Sequence, residues 1–161
     1  MLLLLVGSSE PELVLTRRSE HLSRHPGQIS CPGGVRDEGD ANLRATALRE
    51  CHEEIGLAPE RVEVLGQLDD VWTPSGFLLT PFVGWTDPPV QLSPCSEVAE
   101  ILSVPLGQLL DPEVFELEER WLGEQKFLLG AFRLRQAHVW GATARLVQRL
   151  LEVGFDWKPP R

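Results

Sequence analysis

The sequence has no Cys-X-X-Cys pair, no internal repeat, no low-complexity tract and no apolar run long enough to span a bilayer. Its cysteines, Cys31, Cys51 and Cys95, are odd in number and widely spaced. That argues against a disulfide scaffold or a zinc site and for free thiols in a reducing cytoplasm. The opening MLLLLVG is apolar, but it falls far short of the roughly 20 residues of a spanning helix and lacks the flanks of a signal peptide. It reads as a buried strand, with no membrane partner. Lysine is nearly missing, with only Lys126 and Lys158. The positive charge is therefore carried by arginine, which suits bidentate phosphate recognition, although genome composition produces the same bias. Net charge is −9, which argues against binding nucleic acid by bulk attraction. A small anionic substrate remains within reach if metal ions and a few arginines supply local positive charge.

What is present fits one ordinary soluble domain. A chain of 161 residues, 42% hydrophobic and 24% charged, can bury one proper core. Leu2 to Val6 and Leu13 to Arg17 read as strands of a hairpin, joined by the turn-rich segment from Gly7 to Glu12. Residues 18–34 form a polar connection punctuated by Gly and Pro, with several Arg and His side chains, and such a long connection is more often functional than filler. Arg61 to Leu68 and Phe77 to Trp85 read as strands separated by Asp69 to Gly76, and Pro81 assigns the second run an edge or bulged position. Ser96 to Ile101 leads through Val104 and Pro105 to a short helix ending at Leu110. Val114 to Leu117 and Lys126 to Arg133 form a second hairpin around Gly123. Trp140 to Val153 is helical, with Leu146, Val147, Leu150 and Leu151 as its apolar stripe, and the tail from Gly154 to Arg161 is loosely docked. Strands with one early and one late helix give an α+β layered domain.

The chemistry concentrates between Gly33 and Leu57, GGVRDEGDANLRATALRECHEEIGL. Glu50, Glu53 and Glu54 stand at i, i+3 and i+4, so a helix presents all three carboxylates on one face. Ala47, Leu48, Cys51 and Ile55 fall on the other side, where they can dock on a core. Carboxylates this crowded repel one another, and a hard divalent cation such as Mg²⁺ or Mn²⁺ would offset that repulsion. A solvated acidic face is the plain alternative. Flanking residues favour the metal: Gly33 and Gly34 open a loop that can approach a ligand, Asp40 or Asn42 can cap the helix, Gly56 can stop it, and Arg49 can orient Glu53.

This stretch resembles the signature of the Nudix hydrolases. Arg49-Glu50-Cys51-His52-Glu53-Glu54-Ile55-Gly56-Leu57 fits its second half, with Cys51 at an aliphatic position. In the first half Asp40 stands in place of Glu, and one extra residue separates Gly34 from Arg49. Both departures are typical of the coenzyme A pyrophosphatase branch. The preceding VLTRRSEHLSRHPGQISCPGG is similar to that branch's own motif through Leu15, Thr16, Arg18, Ser19, Gly27, Pro32, Gly33 and Gly34. Ser23 replaces its second Arg, with Arg24 beside it, and Cys31 replaces Phe. The run from Trp140 to Ala144 also looks like the start of the branch's C-terminal helix.

The resemblance implies a single Nudix hydrolase domain over residues 1–161, an αβα sandwich with a mixed β-sheet and a loop-helix-loop metal site. It implies that Glu50, Glu53 and Glu54, with the Gly34 carbonyl, hold Mg²⁺ or Mn²⁺. Arg18, Arg24, Gly27 and Gly33 would bind substrate. Glu53, Glu97 and Arg49 form the catalytic set, Arg49 by orienting a carboxylate and Glu97 as general base. Glu100 or a signature glutamate is the alternative base. Asp40 either assists the metal or caps the helix. His52 is left out, as a helical His is more often solvated or packed than a ligand. The implied reaction is hydrolysis of coenzyme A or acyl-coenzyme A to 4′-phosphopantetheine, or its acyl form, and adenosine 3′,5′-bisphosphate. Ser23 and Cys31 keep ADP-ribose, NADH or a nucleoside triphosphate in view as substrates. A non-catalytic nucleotide-binding module is the remaining reading. The oligomeric state is open, with a homodimer among the options.

Overall fold

A computed structural model describes residues 1–7, 9–73 and 76–160. Ser8 of the first turn, Pro74 and Ser75 of the loop after Asp69, and Arg161 of the tail lie outside the described residues. The strands are β1 (Leu2–Val6), β2 (Glu12–Arg18), β3 (Ile29–Ser30), β4 (Glu63–Gln67), β5 (Val71–Trp72), β6 (Leu78–Leu79), β7 (Phe82–Thr86), β8 (Val98–Pro105), β9 (Phe115–Leu122), β10 (Gln125–Arg133) and β11 (His138–Trp140). The helices are α1 (Leu43–Ile55), α2 (Leu106–Leu110) and α3 (Gly141–Phe155).

The principal sheet runs β3-β2-β1-β7-β4, with β8 on the far side of β2. It is mixed, because β1 and β7 are parallel while β1 and β2 are antiparallel. Both faces of β1 are buried, which is why its sequence is an unbroken leucine run rather than an alternating one. Leu2 and Leu4, with Val14, Val62 and Phe82, pack on Ala47, Cys51 and Ile55 of α1. Leu3 and Leu5, with Leu13, Leu15, Val83 and Val104, pack on Ala144, Val147 and Leu151 of α3. One helix thus covers each face, and the sandwich expected from the sequence is formed. Among the described residues no helix is long and apolar enough to cross a membrane.

Several boundaries differ from the sequence reading. The run from Phe77 to Trp85 is broken at Pro81: β6 joins β5 in a separate ribbon, and β7 lies inside the sheet between β1 and β4. Proline therefore precedes the internal strand rather than sitting on an edge. The short strands β3, β5 and β11 carried no periodic signal, and β8 is a single eight-residue strand. Nor is the tail loose as far as Trp157. That residue is buried, with its ring centroid 5.2 Å from that of Phe115 and 6.0 Å from that of Phe132. Trp157→Ala should lower stability by about 3 kcal/mol, the usual cost of emptying a buried aromatic site. Urea unfolding monitored by circular dichroism measures it.

Candidate active site

Helix α1 starts where Asn42, not Asp40, caps it: the Asn42 side chain accepts from the Ala45 N–H at 3.0 Å. It stops at Gly56, whose φ of 75° takes the left-handed conformation that glycine adopts without cost. Asp40 is buried and has another role. Its carboxylate accepts two hydrogen bonds from Arg49, at Nε (3.0 Å) and Nη2 (3.1 Å), and one from the Asp37 N–H at 3.0 Å. The Arg49 guanidinium holds the Asp40 carboxyl well below the usual carboxylate range, with the Asp37 N–H adding to the effect. Arg49 also reaches Glu53 (2.8 Å), Glu50 (2.9 Å) and the Val35 carbonyl (3.2 Å). One guanidinium thus ties the loop before the helix to two of the three helix glutamates.

The three carboxylates are not equivalent. Glu53 is exposed, Glu50 is half-buried, and Glu54 is buried with Oε2 accepting from the Gly33 N–H at 3.1 Å. Burial pushes the Glu54 carboxyl up to about 7; the Gly33 N–H and Arg18 oppose the shift, while the charges of Glu50 and Glu97 increase it. Burial also raises Glu50, against the pull of Arg49. Gly34 lies directly against the Glu50 carboxylate, and any side chain at that position would collide with it. The glycine pair therefore lets main chain approach two crowded carboxylates.

Arg18 and Glu97 border the same place. Arg18, at the end of β2, is close enough to Glu54 to lower its pKa, and it donates to the Arg24 carbonyl at 3.4 Å. The loop carrying Glu97 is anchored from two sides. The Ser93 and Cys95 N–H groups donate to the carbonyls of Ile55 (2.9 Å) and Glu54 (3.0 Å) at the end of α1. Just after β2, Ser19 donates its N–H to the Glu97 carbonyl (2.8 Å) and its hydroxyl to the Ser96 carbonyl (2.9 Å). Glu100 goes elsewhere: it pairs with its cross-strand partner Arg17 at 2.9 Å. Arg17 shares the sheet face of Leu13 and Leu15, which pack with α3, so Glu100 lies across the sheet from α1.

The other residues singled out from the sequence fall into place less directly. Gly27, with a φ of 66°, closes the 18–28 loop by donating its N–H to the Arg18 carbonyl at 3.1 Å, so that amide is committed to a turn. Arg24 and Ser23 are exposed on this loop, and His52 is exposed on α1. Cys31 and Cys51 are wholly buried, and burial pushes both thiols up to about 12. Cys31 in place of Phe is thus a change in packing.

The NUDIX domain family matches residues 2–138. The chain belongs to the Nudix family. It is 37% identical to the uncharacterized Nudix hydrolase NudL of Photorhabdus laumondii, over 94% of this chain and 82% of that protein. Identity to the NudL of an Enterobacter species is 36%, over 96% and 82% of the two chains. In fold it is similar to the Nudix hydrolase RenU of M. smegmatis, with a TM-score of 0.62, 22% identity and coverage of 99% and 86%. An Ap4A hydrolase of C. elegans gives a TM-score of 0.57 at 16% identity, over 66% of this chain and 78% of that one.

This Nudix hydrolase has a second group of ligand-type atoms, Glu116, Glu118 and His138, within 4.8 Å of one another on the β9-β10-β11 sheet. Arg133 pairs with both glutamates and Arg120 with Glu118, so arginine already neutralises that cluster. The Glu50–Glu54 pair on α1 is different. Two partly or wholly buried carboxylates there have Arg49 and the Gly33 N–H as direct partners, with Arg18 at longer range, and this set of oxygen donors fits a hard divalent ion. The tethers of the Glu97 loop were invisible in the sequence, because Ser93, Cys95 and Ser19 bind partners on distant segments, mostly through the main chain.

Replacing Asp40 by Asn should destabilise the protein at neutral pH. Because its folded pKa is depressed, Asp40 stabilises fully above about pH 4, the ordinary Asp value. That contribution fades as pH falls below it. Chemical denaturation from pH 7 downwards should show the gap between parent and Asp40→Asn constant to about pH 5 and closing below pH 4.

Proposed function

We propose that this Nudix hydrolase cleaves the pyrophosphate bond of coenzyme A or acyl-coenzyme A, with one hydrolase domain covering residues 1–161. The products are 4′-phosphopantetheine, or its acyl form, and adenosine 3′,5′-bisphosphate. The observation that carries the reading is the convergence of Arg18, Gly33, Glu54 and the Glu97 loop at one point. Arg18 and Gly33 belong to the segment that resembles the coenzyme A motif, and Glu54 to the Nudix helix.

Glu50, Glu53 and Glu54, with the Gly34 carbonyl, are the residues that would hold Mg²⁺ or Mn²⁺. When bound, the ion neutralises phosphate charge and lowers the pKa of water. The chain's own residues do the rest. Arg49 is a positioning residue, fixing Glu50 and Glu53 while Asp40 fixes Arg49. Glu97 takes the proton from the attacking water, held over the site by Ser19 and the end of α1. Arg18 binds a phosphate oxygen, and Arg24 on the same loop serves in place of the arginine replaced by Ser23. Gly27 contributes by shaping that loop. ADP-ribose, NADH or a nucleoside triphosphate is the second reading, favoured by the exposed, uncharged Ser23.

Hydrolysis of coenzyme A, ADP-ribose, NADH and a nucleoside triphosphate, with Mg²⁺ or Mn²⁺ and with chelator, tests this. A metal-dependent preference for coenzyme A is the expected result; preference for another substrate would overturn the assignment. Glu54→Gln and Glu53→Gln should each lower turnover by about a hundredfold or more, the scale of losing one preorganised electrostatic group. Arg49→Ala should cost about 10- to 100-fold, as a group acting through the ligands.

A further inference from the structure

Beside the Gly33–Gly34 turn lies a cleft of about 310 Å³ walled by Val35, Leu43, Phe77, Leu78 and Leu79. Four of these five side chains are exposed, Val35 at 70%. Trp72 extends the apolar wall, since it is the cross-strand partner of Leu78 in the β5–β6 ribbon and shares its face, and it too is exposed at 71%. Large apolar side chains left open in a contiguous group mark a binding surface more often than chance exposure. Among the described residues Arg36 is the one charged side chain of the lining, and its guanidinium donates to the Asp40 carbonyl through Nε (3.3 Å) and Nη2 (3.0 Å). The remaining walls are predominantly apolar.

Its position gives it a direction. Gly33, which binds Glu54, also lines the cleft, so the cleft opens directly from the point where the diphosphate would sit. Leu79 and Thr80 place it on the β7 side of β1. Arg18 and the 18–28 loop with Arg24 lie on the other side, at the end of β2. A substrate spanning the site thus meets the Arg18 loop at one end and a predominantly apolar wall at the other.

We propose that this cleft binds the uncharged, aliphatic arm of an asymmetric diphosphate diester, while the anionic nucleotide end lies toward the Arg18 loop. The inference rests on the diphosphate-hydrolase reading of the same site and adds which end of the substrate goes where. On that reading the arm is the pantetheine with its acyl chain, and longer chains gain affinity from Val35, Leu43, Phe77 and Leu78.

The test uses methyl and octyl esters of ADP, which lack both pantetheine and a 3′-phosphate, so it is independent of whether coenzyme A is the substrate. Dissociation constants are measured by titration calorimetry with Ca²⁺ in place of Mg²⁺, for the parent, Leu78→Ser and Phe77→Ser. Both substituted positions are exposed, so neither change disturbs the core. The octyl ester should bind the parent about tenfold or more tighter than the methyl ester, a modest fraction of full burial of the added methylenes. Either substitution should bring the ratio close to one while leaving methyl-ester binding unchanged. Equal affinity of the parent for the two esters, no affinity for either, or a ratio that survives both substitutions would overturn the proposal. A chain-length effect alongside failure to hydrolyse coenzyme A would retain the cleft and discard the coenzyme A assignment.

Discussion

Everything in the site depends on how α1 tolerates three glutamates within five residues. Arg49 is the answer for two of them and Asp40 is the answer for Arg49. The guanidinium lies between the Asp40 carboxylate, Glu50, Glu53 and the Val35 carbonyl, so the loop and the acidic face hold each other in place. Glu54 is left with the Gly33 N–H as its direct partner. A carboxyl raised from 4.5 to about 7 costs the fold about 3 kcal/mol once ionised. That cost is full above the raised value, fades as pH falls below it and is gone below about 4.5. A stability-driven sequence would not keep it, and an ion-binding one has a reason to.

The sheet determines what meets this face. Because neighbouring residues on a strand point to opposite faces, Arg17 and Arg18 are separated by the full thickness of the sheet. Arg17 binds Glu100 and the Gln136 carbonyl on the α3 side. Arg18 turns toward α1 and Glu54. The same alternation removes Glu100 from contention and leaves Glu97, on the irregular segment before β8, free to reach the helix. Two adjacent arginines and two nearby glutamates thus acquire different environments, with a register shift between β2 and β8 at this point.

Much of this was legible in the sequence. The helix that carries the glutamates, the Gly56 stop and the leucine run of β1 each reflect one local rule, and all three are present in the fold. What was not legible is non-local. Asp40 and Asn42 are both good capping residues, and nothing in the sequence says that Arg49 claims Asp40. The Glu97 loop is fixed by main-chain bonds from Ser93, Cys95 and Ser19, which leave no trace in side-chain identity, and by the Ser19 hydroxyl, whose distant partner Ser96 the sequence does not reveal. Cys31 looked like a substrate-site departure because it interrupts a motif, yet it is buried in the core. Trp157 looked like part of a frayed tail because the helix signal had ended, and only its edge-to-face contact with Phe115, beside Phe132, shows why it is held.

We propose that Glu54, whose direct partner is the Gly33 N–H, holds a divalent ion together with Glu50. Thermal melting at pH 8, with and without Mn²⁺, for the parent and Glu54→Gln tests it most directly. Glutamine keeps the volume and can still accept from the Gly33 N–H. Without metal the variant should melt higher than the parent, since it no longer buries a charge. Adding Mn²⁺ should raise the parent's melting temperature and leave the variant's nearly unchanged. An equal metal-induced rise in both proteins would contradict the account.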